Sequence, residues 1–196
     1  MRGETTELLA ISAATLFASL FGSLFALPFV PPAAAQERDR GVHFASFDVG
    51  IGAALPEGAD AGLSYGVGFD LANLPAGGLA TRFGFRFWSA RDESAGVDID
   101  DGVLELLLKA RAGSGTLSGY AGAGVGAHFV SARLADMPEV QDERDGFHAG
   151  LRLLAGGEAA LGDDFLAVFL EGAGSVLSEI PHAVIHAGIR VRFDRL

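Results

Sequence analysis

From residue 43 onward, apolar and polar residues alternate with a period of two, segment after segment. In the first segment His43, Ala45, Phe47, Val49, Ile51, Ala53 and Leu55 share one face, and Ser46, Asp48, Gly50 and Gly52 the other. A period of two places successive side chains on opposite faces of a strand. The second segment sets Leu63, Tyr65, Val67, Phe69 and Leu71 against Gly62, Ser64, Gly66, Gly68 and Asp70. The third sets Leu79, Thr81, Phe83, Phe85 and Phe87 against Arg82, Gly84, Arg86 and Trp88. In the fourth, Leu104, Leu106, Leu108 and Ala110 oppose Glu105, Lys109 and Arg111, with Val103 and Leu107 diluting the polar side.

The fifth segment, Leu117 to Phe129, holds Gly122, Gly124, Gly126 and His128 on its polar face and Ala121, Ala123, Val125 and Ala127 on the other. Three more segments follow. Phe147, Leu151 and Leu153 oppose His148 and Arg152; Leu166, Val168 and Leu170 oppose Phe165, Phe169 and Glu171; Ile185, Ile189, Val191 and Phe193 oppose His186, Arg190 and Arg192. The pattern predicts eight strands and no helix of useful length.

Seven connections separate them: "PEGADA", "ANLPAGG", "ARDESAGVDIDD", "GSG", a long one from Ala132 to Asp145, "GDD", and Ser175 to Ala183. In an up-and-down meander the long acidic connections fall at one end and the two tightest turns at the other. That sorting is expected of a membrane barrel with short periplasmic turns and longer outer loops.

Composition decides which face meets what. A water-exposed sheet face favours Lys, Thr, Glu and Gln, yet this polar face is largely Gly, Ser and Ala. Its charges are Asp48, Asp70, Arg82, Arg86, Glu105, Lys109, Arg111, Arg152, Glu158, Glu171, Arg190 and Arg192. Seven basic and five acidic residues nearly balance, as a buried ion-pair network must, because an unpaired buried charge is costly. An eight-stranded barrel has an interior just wide enough for side chains to fill, so long arginines there require glycines beside them. The apolar face is nearly free of charge, as a lipid-facing surface must be.

These features predict an all-β fold, an eight-stranded antiparallel up-and-down transmembrane β-barrel over residues 42–196. A short polar lead, 36–41, and a signal peptide, 1–35, precede it. The apolar run Leu8 to Leu27 leads into "PFVPPAAAQ", where Ala33, Ala34 and Ala35 supply the small residues that a signal peptidase requires. The run is also long enough to span a membrane as an uncleaved anchor; the cleavage motif favours the signal. One Arg and two Glu leave with it, so 13 basic and 23 acidic residues remain, a balance that excludes nucleic-acid binding by charge. The chain has no cysteine, hence no disulfide, thiolate metal site or cysteine nucleophile.

The chain resembles the small eight-stranded outer-membrane barrels, the OmpA transmembrane domain and OmpX-like group, over about residues 42 to 193. The most specific part is "HAGIRVRF", where His186, Gly188, Val191 and Phe193 stand at the spacing of the assembly signal in this group; Asp194, Arg195 and Leu196 then extend beyond the usual terminal aromatic. The resemblance implies a bacterial outer-membrane location, contact with outer-membrane lipid and lipopolysaccharide, and recognition by the barrel-assembly machinery; membership says little about activity, and it is the acidic outer loops that point to a structural, adhesive or surface-interaction role. Eight strands with this many long interior side chains leave no continuous channel, so a plugged lumen is expected, and no cofactor is expected.

Candidate chemistry is sparse. From Gly122 a dinucleotide fingerprint fails at Ala127, where its third glycine belongs. "VDIDDG" is not an EF-hand, since counting from Asp98 puts Lys109 where a bidentate Glu is needed. Divalent cations at the acidic loops remain an expectation, and His128, His148 and His186 are weak metal candidates at the long-loop end. Some small outer-membrane barrels are lipid A deacylases with a lipid-facing Ser and His. Here the outward phase carries no such arrangement, so no enzyme is expected. The competing fold reading is a soluble periplasmic barrel with inverted polarity and an apolar ligand inside.

Overall fold

The computed structural model describes residues 43–72, 79–114, 116–141, 144–162, 165–176 and 181–193. The proposed signal peptide and polar lead lie outside them, as do Asp194 to Leu196. Nine strands occur among these residues: β1 (His43–Pro56), β2 (Gly62–Ala72), β3 (Leu79–Asp92), β4 (Val97–Ser114), β5 (Leu117–Leu134), β6 (Met137–Gln141), β7 (Gly146–Leu161), β8 (Leu166–Val176) and β9 (His182–Arg192). Eight of them form a closed antiparallel barrel, in which each pairs with its sequence neighbour, β5 pairs with β7, and β9 closes on β1. The ninth, β6, is a short addition hydrogen-bonded to the upper part of β5.

Closure carries a stagger. Following paired residues around the barrel, Ser46 leads through Asp70, Arg82, Leu107, Gly124, Arg152, Ser175 and His182 back into β1 at Pro56. The path returns ten residues above its start, the difference between Pro56 and Ser46. A stagger of this kind is what tilts the strands of a closed sheet. Every side chain on the path points inward.

The alternation read from the sequence governs which face is outside. Ile51, Leu63, Leu104, Leu106, Val125, Leu170, Ile185 and Ile189 are exposed on the outer surface, while Arg82, Arg152, Arg190, Arg192 and Glu171 are almost completely buried in the lumen. This is the reverse of what a soluble barrel requires, and that alternative fails on it. An apolar surface that runs all the way around a molecule must meet lipid.

Phenylalanines frame the belt. At the turn end Phe165, Phe193, Phe44, Phe69 and Phe83 form a continuous chain of ring contacts across β8, the end of β9, β1, β2 and β3, with centroids 5.2–6.3 Å apart. Toward the loop end, Tyr65 meets Phe87 and Phe129 meets Phe147.

The connections read as Ala132 to Asp145 and Ser175 to Ala183 hold the end of β5, all of β6, the end of β8 and the start of β9, and three further details differ from the sequence reading. A bulge between Phe44 and Ser46 turns Phe44 outward and buries Ala45, which strict alternation placed on the lipid face. Phe165 is exposed rather than inward, because it precedes the first paired residue of β8. The connection "ARDESAGVDIDD" is mostly strand: β3 continues to Asp92, β4 begins at Val97, and only a four-residue turn, 93–96, joins them. Hence β3, β4 and β5 rise above the rest of the barrel as a wall. Val97, Ile99, Val130 and Ala132 on its inner side pack with Trp88, Ala54 and Val184 into an apolar cluster at the loop end.

Candidate functional site

The lumen is built by the inward phase of all eight barrel strands, and twelve of its charged side chains form one connected network, in which Arg82 Nη1 at 3.5 Å from Asp70 joins the Asp70–Lys109 pair to the rest. Asp48 on β1 accepts from Arg82 Nη1 and Nη2 at 2.7 and 2.8 Å and from Arg190 Nε and Nη2 at 3.2 and 3.1 Å. Asp70 on β2 accepts from the Ser46 hydroxyl at 2.8 Å and pairs with Lys109. Arg82 also reaches Glu105 at 3.6 Å, and Glu105 takes Arg86 Nε at 3.1 Å and Arg152 Nη2 at 3.3 Å. Arg86 in turn pairs with Glu171, which faces Arg190 at 3.9 Å.

Glu158 gathers three cations, Arg111, Arg190 and Arg192, the last at 2.7 Å, together with the Ser118 hydroxyl at 3.0 Å. The twelve charged residues singled out from the sequence therefore meet in a single assembly. Tyr120 lies beneath two of its cations, with Lys109 Nζ and the Arg190 guanidinium each 4.8 Å from the ring centre. Such stacking lets an apolar ring sit among buried charges without an unpaired polar group.

Glycine makes room for this. A Cβ added at Gly126 would come 2.8 Å from Arg152 Cγ, and one at Gly68 would overlap the Arg82 guanidinium. A cavity of about 10 Å³ lies among Asp48, Gly50, Gly66, Arg82, Arg86, Glu171 and His186, about the size of one water.

Of the histidines considered as ligands, His186 is tied into the network. Its Nδ1 accepts from Arg86 Nη1 at 2.7 Å, and its Nε2 donates to Ser64 Oγ at 2.7 Å. His148 is paired in register with His128, and its Nε2 bonds the Arg144 carbonyl oxygen at 3.0 Å. His128 instead converges with His182 and Asp101, whose ligand atoms lie within 4.8 Å of one another. Arg152 Nη1 donates to His182 Nε2 at 3.1 Å, setting a fixed positive charge against any cation there.

Around His128 the geometry is specific. Its Nδ1–H donates to Asp101 Oδ2 at 2.7 Å, and its Nε2 accepts from the Ser175 hydroxyl at 2.9 Å. All three side chains are buried. Asp101, Ser175 and His182 were missed in the sequence because all three fell in segments read as connections. The signal was present: Val97, Ile99, Asp101 and Val103 continue the inward phase of β4 without a break.

On the outside of the same wall, Asp98 stands in register between Arg91 and Arg133, and Asp100 between Ser89 and Ser131. Arg91 and Asp98 form an exposed pair at 3.7 Å. Alternation splits "VDIDDG", sending Asp98 and Asp100 outward and Asp101 inward.

No protein-family model matches the sequence, and no curated protein matches it. Solved structures do. Neisserial surface protein A is 16% identical with a TM-score of 0.55, covering 78% of this chain and 99% of its own. The N-terminal β-barrel domain of Pseudomonas aeruginosa OprF is 12% identical with a TM-score of 0.54, over 77% and 100%. Ail, the attachment invasion locus protein of Yersinia pestis, is 13% identical with a TM-score of 0.52, over 76% and 99%. The fold is that of a small eight-stranded outer-membrane barrel. Identities this low carry the architecture and leave the role of this barrel to its own residues.

Proposed function

We propose that this chain is an outer-membrane protein of a Gram-negative envelope, with a plugged lumen and a structural and adhesive role exercised at its loop end. The observation that carries the reading is the raised wall of β3, β4 and β5. Immediately beyond the apolar belt its outer face changes to Arg91, Asp98, Asp100, Ser131 and Arg133, beside an open concavity of about 300 Å³. A polar, partly acidic surface held on rigid strands above the lipid is suited to contact with another surface. Ail and the Neisserial surface protein are named for attachment and for the cell surface, which agrees with such a role.

In this reading lipid and lipopolysaccharide surround the belt, and divalent cations bind at the acidic loops. His186, Gly188, Val191 and Phe193 present the final strand to the barrel-assembly machinery. The lumen charges hold the barrel and do not conduct.

The test uses the absence of native cysteine. A single Asp98→Cys should react with a membrane-impermeant maleimide on intact cells, and cells carrying the Asp98→Asn/Asp100→Asn pair should adhere less than wild type. Protection of the cysteine in intact cells, or undiminished adherence, contradicts the proposal.

A further inference from the structure

We propose that Ser175 is an activated nucleophile, the serine of a Ser175–His128–Asp101 relay inside the barrel, able to take an acyl group from a small apolar ester. The inference goes beyond the surface role and is independent of it.

The three residues come from β8, β5 and β4, and their hydrogen bonds run in series. Asp101, fully buried, accepts from His128 Nδ1 at 2.7 Å and so keeps the proton on that nitrogen. His128 Nε2 is left as an acceptor, and the Ser175 hydroxyl donates to it at 2.9 Å. Nucleophile to base and base to orienting carboxylate, each within hydrogen-bond reach, is the arrangement that activates a serine wherever it recurs, irrespective of fold or chain order.

A second observation points to a reacting group beside it. Arg152 Nε and Trp88 Nε1 are buried N–H donors without a partner. Both side chains surround His182, Arg152 at 3.1 Å and the Trp88 ring at 5.1 Å, and His182 and Arg152 are the two cross-strand neighbours of Ser175. Unpartnered buried donors cost free energy unless something accepts from them, and these two lie on side chains that pack against a neighbour of Ser175, where an oxyanion would find a donor if one turned toward it. Ala173 and Val184, paired on the inward faces of β8 and β9, add an apolar neighbour on one side.

The step balances. Ser175 Oγ bonds to the ester carbonyl carbon while its proton passes to His128 Nε2, and Asp101 stabilises the imidazolium. Collapse of the adduct breaks the bond to the alkoxide, which leaves with the proton from His128, and Ser175 keeps the acyl group. Water then repeats the sequence and releases the carboxylic acid. Ser175 is 1% exposed and lies one residue from the loop end of β8, so the reaction is slow.

The experiment treats the folded full-length protein, in detergent micelles, with a fluorophosphonate, and maps adducts by peptide mass. Heat-shifted gel migration checks that each variant is folded. A single adduct at Ser175 is expected, absent in Ser175→Ala and formed about a hundredfold or more slowly in Asp101→Asn. No adduct at Ser175 in folded wild type overturns the proposal. So does labelling of Ser175 that Asp101→Asn and His128→Gln leave unchanged, or labelling shared equally among surface serines.

Discussion

Arg82 reaches across the lumen from β3 to Asp48 on β1, past the intervening β2, and binds it through both terminal nitrogens at 2.7 and 2.8 Å. Both side chains are almost fully buried, and Asp48 also serves Arg190. Asp48→Asn leaves two buried guanidinium groups short of a counter-charge. Removing one partner of a buried pair costs about 3–5 kcal/mol, so urea unfolding of the barrel in lipid vesicles should show a loss of that size. A loss below about 1 kcal/mol would show that the network is not holding the barrel.

The outer belt predicts a position-dependent cost. Leu106, exposed in the middle of β4, should lose about 2–4 kcal/mol on substitution by Arg, the cost of that charge at the bilayer midplane. Leu161, exposed at the turn end of β7, should lose about 0–1 kcal/mol, as near an interface. Equal effects at the two positions, measured by unfolding in vesicles, would remove the lipid from the explanation.

Gly126 gives a packing test. A Cβ there comes 2.8 Å from Arg152 Cγ, and Arg152 is fully enclosed. Gly126→Val should destabilise by about 1–3 kcal/mol through overpacking. Gly157→Ala is the control, since its nearest neighbour is Ser118 O at 3.8 Å; it should change unfolding by a few tenths of a kcal/mol at most, about the level of an uncrowded surface substitution.

Acid should loosen the raised hairpin. Asp92, at the loop end of β3, accepts from Ser94 Oγ at 2.6 Å, from the Ala95 N–H at 3.0 Å and from Arg144 at 3.2 Å. Those bonds, the Ser94 hydroxyl first, hold its carboxyl below the ordinary carboxylate range. A depressed carboxyl adds stability that is fully present above the unfolded value, about pH 4, and is lost as pH falls through the folded value. Proteolysis within 93–96 should therefore accelerate below about pH 4 in wild type. In Asp92→Asn it should be faster at neutral pH and show no such acid dependence.

The strands were legible because alternation is imposed on every one of them by a single requirement, apolar outward and polar inward. The same requirement makes the lumen residues legible, since Arg82 or Glu105 on an inward phase has nowhere else to go. Legibility failed where the phase was cut short. A cluster of Asp, Ser and Gly reads as a loop, so Asp101 and the extension of β4 were lost in "ARDESAGVDIDD", although Val97 and Ile99 keep the beat. Phe44 was invisible for another reason: a bulge inserts one residue and inverts the phase behind it. The relay of Ser175, His128 and Asp101 has no local signature, since its side chains meet inside the barrel from β8, β5 and β4, and none is the register partner of another.

The central claim is a lipid-embedded barrel with a filled lumen, and cell fractionation followed by gel migration of unboiled and boiled samples tests it most directly. The mature chain should pellet with the membrane fraction and shift in mobility on boiling, as a compact barrel that resists detergent does until heated. A chain released into aqueous buffer without detergent, with one mobility before and after boiling, would contradict it.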